Sequence, residues 1–187
     1  MPVYISQKNL FIKLVVFIAF TLALCALALT PDPALAYAKT GHTWSSSSRN
    51  VLILSSVTGT YKTQLTSSIA DYNAIRDVKM SVTSIANNPW KASLVRNSSV
   101  NWEGITYTKW NASGKLTSAI CQLNRHYCDS YTAARKKVVW LHELGHGWGL
   151  GHVASTKRVM YKSASAAYKA GVHALTSDEI NGINALY

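Results

Sequence analysis

The chain has 187 residues, 48% of them hydrophobic and only 14% charged, with a formal net charge of +11. That length suits one domain with a real core, and the apolar share excludes an intrinsically disordered chain. The positive balance favours anionic partners such as cell-surface polymers, but the basic residues are scattered apart from Arg135-Lys136-Lys137, and no nucleic-acid motif accompanies them.

Residues 1–36 read as a secretory signal peptide. Lys8 and Lys13 form a basic start, Leu14 to Leu29 is an uncharged apolar run of 16 residues, and Ala34-Leu35-Ala36 is a small-x-small cleavage site before Tyr37. An uncleaved anchor is the second reading, although the run is short of the ~20 residues that span a bilayer. A lipoprotein signal at Leu22-Ala23-Leu24-Cys25 is the third. Cleavage removes Lys8, Lys13 and Asp32, leaving 17 basic and 7 acidic residues and a net charge of +10. Residues 37–50, with Ser45 to Ser48 in a row, read as a flexible polar leader. Residues 51–187 form the expected domain.

Within it, Val51 to Ser55 reads as a strand. Tyr61 to Asp77 carries Leu65, Ile69, Tyr72 and Ile75 at helical spacing. Val78 to Ser84 alternates as a strand and Asn87-Asn88-Pro89 breaks the chain. Trp102 to Trp110 and Lys115 to Asn124 read as two more strands around the turn signal Asn111-Ala112-Ser113-Gly114. A helix capped by Asp129 or Ser130 runs from about Tyr131 through His146. Thr176-Ser177-Asp178-Glu179 is a capping box opening a last helix. Strands first and helices later give an α+β order. Cys121 and Cys128, the cysteines beyond the signal segment, are expected to pair as one disulfide in an oxidising compartment; a metal site with His126 is the alternative.

The chemistry concentrates in Leu141 to His152, LHELGHGWGLGH, which holds three of the six histidines. His142 and His146 are one helical turn apart on one face, as two ligands of one zinc ion require. Gly149 and Gly151 can end the helix and bring His152 back as a third ligand. Three protein ligands leave a position open for water, as in catalytic zinc sites. Glu143 is rotated ~100° from His142, placed to touch that water rather than the metal. A bland amphipathic helix with surface histidines is the competing reading of these residues.

HELGHGWGLGH resembles the zinc-binding motif of the metzincin metalloproteases. Met160, in Arg158-Val159-Met160-Tyr161, resembles their Met-turn, and its position after seven intervening residues from His152 is most similar to the matrixin branch. Leu175 to Tyr187 resembles the closing helix of a matrixin catalytic domain. The resemblance runs from about Val138 to the end. Lys162 stands where matrixins usually have proline, and Val153 where they usually have a small hydroxyl residue. No cysteine-switch segment, second zinc site or calcium loop is apparent, so one Zn2+ is expected and calcium is not indicated. The resemblance implies a zincin/metzincin-like fold: a twisted mixed sheet, an active-site helix and a C-terminal helix, with extended substrate pairing at a sheet edge. Lys115 to Asn124 is the candidate edge, and Tyr161 to Leu175 the expected pocket wall.

The function these features imply is secreted zinc endopeptidase action on protein or peptide substrates, with His142, His146 and His152 as ligands and Glu143 as general base. A zinc amidase or peptidase acting on cell-wall peptides, and a non-catalytic secreted binding protein on the same fold, are the alternatives.

Overall fold

The computed structural model describes residues 37–187, so the signal-peptide expectation lies outside the described residues. In chain order the elements are β1 (Ala38–Lys39), β2 (Ser48–Ile53), α1 (Gly59–Asn73), β3 (Lys79–Thr83), β4 (Trp90–Val95), β5 (Gly104–Trp110), β6 (Leu116–Asn124), α2 (Arg125–Cys128), α3 (Ala133–Trp148), β7 (Leu150–Gly151), α4 (Ala164–Lys169) and α5 (Ser177–Asn184). One sheet holds five strands in the order β3-β2-β4-β6-β5. Its neighbours run parallel except β5 and β6, which are antiparallel. This is the expected α+β fold with a mixed sheet, a motif-bearing helix and a C-terminal helix.

α3 lies against α1 and against β5 and β6. Trp140, Leu141, Leu144 and Trp148 on it are fully buried. Burial of side chains this size contributes roughly 1.5–3 kcal/mol each, which fixes the helix as the centre of the core. On α1, the predicted stripe Leu65, Ile69 and Tyr72 is buried, with Ile75 just past the helix end. Tyr72 reaches across to donate from its hydroxyl to Leu141 O at 2.8 Å.

Several expectations need correction. The helix cap is Thr132, whose Oγ1 accepts from Arg135 N at 3.2 Å. Asp129 is engaged instead with Arg96, Arg125 and the Tyr61 hydroxyl. β4 was not foreseen: Trp90-Lys91-Ala92-Ser93-Leu94 alternates, but the run is only six residues long and follows directly on the Asn87-Asn88-Pro89 break. The leader at residues 37–50 is packed chain. Ala38 and Lys39 pair antiparallel with Gly151 and Leu150, Trp44 is buried, and Ser48 to Asn50 already belong to β2.

The edge strand is β5, not β6, because the hairpin after Trp110 folds β6 inward between β4 and β5. The irregular apolar pattern of β6 has a physical cause. A register shift at Lys109/Trp110 pairs Trp110 with Leu116 but Lys109 with Ser118. The extra residue breaks the two-residue phase, so Leu116 and then Ala119, Cys121 and Leu123 are buried.

The expected disulfide is also corrected: Cys121 and Cys128 are free and buried. Cys121 projects from β6 towards α3, where its thiol donates to Glu143 O at 3.4 Å and accepts from the Trp90 indole at 3.4 Å. Cys128 ends α2, and its thiol donates to Glu103 O at 3.3 Å. The turn out of β6 at Asn124, which caps α2, gives the two side chains separate surroundings.

Candidate metal centre and its cavity

α3 presents His142 and His146 on one face, and their ring planes meet nearly perpendicular, at 88°. The helix stops at Gly149, whose φ of 107° is left-handed. Glycine takes this conformation without the Cβ penalty. A side chain there would also run into the His42 carbonyl oxygen. The chain then turns through Leu150 and Gly151, held by β1, and returns His152 to the same point.

The three Nε2 atoms lie 3.0, 3.1 and 3.2 Å apart. Two of the opposite ring nitrogens are occupied. His142 Nδ1 faces Val159 O at 2.7 Å and His146 Nδ1 faces Leu150 O at 2.8 Å. A carbonyl can only accept, so each Nδ1 carries the proton and each Nε2 offers a lone pair. Lone pairs converging at this distance repel unless a cation sits among them. Nitrogens bound tetrahedrally at 2.0–2.1 Å would stand about 3.3 Å apart, so the trio fits one zinc ion. The carbonyl partners are the outer groups that orient ligating histidines. Burial pushes the His142 imidazole down to about 3 and that of His146 down to about 4, and it lowers His152 as well. Neutral rings are the form that binds metal.

Glu143 is 3% exposed and lines the same cavity, of about 380 Å³, as all three histidines. The Thr106 hydroxyl lies 2.8 Å from Glu143 Oε2 and 2.9 Å from its backbone O. Burial pushes the carboxyl up to about 8, with the Thr106 hydroxyl working against that and Glu103 adding to it. A group in that range can both take and release a proton near neutral pH. Its Oε1 occupies the space where a side chain at Gly104 would stand: a Cβ there would come within 2.5 Å.

Met160 is buried against α3 at Gly145, where an added Cβ would meet its sulfur at 2.5 Å. The turn around it closes with Tyr161 N donating to Arg158 O at 3.2 Å. Its role is visible one residue earlier, where Val159 supplies the carbonyl that orients His142. Glu179 ties the turn to the last helix. It completes the capping box with Thr176 and accepts from Met160 N at 3.1 Å.

Sequence reasoning thus named the residues that converge here, but not Thr106, Gly104 or Glu179. Glu179 was read as a cap, and nothing in the sequence tied its second oxygen to Met160. Thr106 and Gly104 reach the site because β5 lies against α3, a neighbour relation that the sequence does not show. The expected pocket wall from Tyr161 to Leu175 is present at its start: Lys162, Ser163, Ala164 and Ser165 line an adjoining cavity of about 430 Å³ that also touches His142 and Glu143.

The comparisons with known proteins agree with this geometry. No curated protein matches the chain. Among solved structures, myroilysin is similar in fold, with a TM-score of 0.54 and 12% sequence identity, covering 78% of this chain and 85% of that one. The family model for matrixin, a peptidase family, matches residues 86–187, which include β4 to β6, the three histidines and Met160. The chain belongs to the matrixin family of zinc metalloproteases.

Proposed function

We propose that the protein is an exported endopeptidase in which His142, His146 and His152 hold one zinc ion and Glu143 is the general base. The observation that carries this is the convergence of three histidine Nε2 atoms at 3.0–3.2 Å beside a buried carboxyl group on one cavity. A zinc ion on these ligands supplies Lewis acidity for the scissile carbonyl and for a water.

The chain's own residues do the rest. β5, paired on one side only, offers its free backbone groups to an extended peptide. Thr106 holds one oxygen of Glu143, and the other faces the space over Gly104. Glu143 takes the proton of the attacking water and delivers it to the leaving amine. Export rests on the apolar run and Ala34-Leu35-Ala36, and N-terminal sequencing of protein from the medium should begin near Tyr37.

The decisive variant is Glu143→Gln, which keeps the size of the side chain and removes the base. It should retain zinc at the parent stoichiometry and lose about 10²–10⁴-fold of peptide or casein hydrolysis. Parent-level hydrolysis at full zinc would refute the assignment. Activity confined to purified cell wall would favour the cell-wall amidase or peptidase instead.

A further inference from the structure

The cavity of about 430 Å³ opens at His142 and Glu143, so whatever fills it lies beside the bond to be cut. Its walls are polar. Glu103 Oε1 accepts from Ser165 N at 2.8 Å and from the Ser163 hydroxyl at 3.5 Å, and its Oε2 accepts from the Ser165 hydroxyl. The Tyr127 hydroxyl donates to Val100 O at 2.5 Å. The hydrogens of these serine and tyrosine hydroxyls are therefore committed within the protein, and Glu103 brings a carboxylate to the wall beside Asn101 and Trp102.

The charges point the same way. Among the described residues Glu103 has no ion pair. Arg135 reaches it only through Ser165, whose hydroxyl accepts from Arg135 Nε at 2.9 Å, and the guanidinium lies over the Tyr131 ring, 3.4 Å from its centre. Lys162 also lines the cavity but is exposed, free to keep its ammonium in water. An apolar side chain here would strip water from Glu103 and the hydroxyls and return no hydrogen bond. A guanidinium or ammonium brings donors and an opposite charge.

We propose that this cavity selects a lysine or arginine side chain flanking the scissile bond, with Glu103 as its counter-charge. The inference rests on the peptidase reading above and assigns that site its substrate class.

The test is digestion of a peptide library, randomised on both sides of the cleavage point, by the purified zinc-loaded protein. A matched Arg/Leu peptide pair is then compared for the parent and Glu103→Gln. Lysine and arginine should be enriched at one position next to the cut. Glu103→Gln should lower the Arg-over-Leu ratio of kcat/KM by about 10–100-fold, the size expected for a charge-assisted hydrogen bond. If Glu103 only braces the start of α4, both peptides fall together and the ratio stays, which overturns the proposal. Enrichment of apolar residues overturns it as well, from the parent profile alone, even if the variant does not fold. No cleavage of any peptide by zinc-loaded protein overturns the peptidase reading and this inference with it.

Discussion

Replacing Gly104 by alanine tests whether an empty position on the edge strand sets the place of the base. The added Cβ would stand 2.5 Å from Glu143 Oε1, 2.8 Å from Val139 Cγ1 and 2.9 Å from Glu143 Cδ, whereas ordinary contact begins at 3.4 Å. Clearing the oxygen alone takes a shift of about 0.9 Å, and a misplacement near 1 Å at a reacting group can cost ~10²-fold in rate. Gly104 has no left-handed φ, so the backbone itself is unstrained. Crowding against Val139 adds a stability cost of ~1–3 kcal/mol. The assay is kcat and KM on one peptide, with zinc content and Tm on the same preparation. Expected are full zinc, a modestly lower Tm and a kcat down ~10²-fold. Gly171→Ala is the control. Its φ of 93° makes alanine costly there by ~1–2 kcal/mol, but nothing lies within 4 Å of the added Cβ and Gly171 lines neither cavity. A Gly104→Ala enzyme with parental kcat at full zinc would refute the argument.

Three further outcomes follow from the same geometry. Thr106→Val removes the hydroxyl 2.8 Å from Glu143 Oε2 and should lower kcat about tenfold with little change in KM, while Thr106→Ser restores most of it; equal activity of valine and serine variants would show the hydroxyl is idle. Gly149→Ala combines a left-handed φ with overlap on the His42 carbonyl, so it should cost upwards of ~2 kcal/mol and weaken zinc retention in a chelator competition, since His152 depends on that turn. Burial pushes the Cys121 and Cys128 thiols up to about 12, so at pH 8 both stay protonated and resist iodoacetamide in the native protein, then alkylate on unfolding without reductant; a linked Cys121–Cys128 peptide by mass spectrometry would contradict the structure.

The metal centre was legible because its geometry is local. His142 to His146 is one helical turn and Gly149 announces the stop, so eleven residues of sequence contain the whole ligand set. The α1 stripe and the Thr176 capping box were legible for the same reason. What could not be read is what depends on which strands become neighbours. Strand order turned β6 inward and put Thr106 and Gly104 of β5 against Glu143. The cysteines misled because compartment and parity say nothing about where two side chains point. The serine-rich stretch looked like a loose leader by composition, yet Trp44 and two residues of backbone pairing are enough to pack it.

The dependence of the third ligand on distant chain has a kinetic meaning. Thr40 is 109 residues from Gly149, yet its N–H and hydroxyl both bond that residue's carbonyl, and Ala38–Lys39 hold the two residues before His152. Trp44 Nε1 donates to Gly147 O at 2.9 Å, and the C-terminal Tyr187 hydroxyl lies at Trp148 O and Trp44 N. Both ends of the domain therefore converge on the last turn of α3. Closing a loop of that length comes at an entropic cost that only the finished contacts repay. Without those contacts His142 and His146 remain an incomplete pair, because the turn that places His152 is held by them. The complete ligand set is in this sense a report on completed folding, because its third member is set by contacts that span most of the domain.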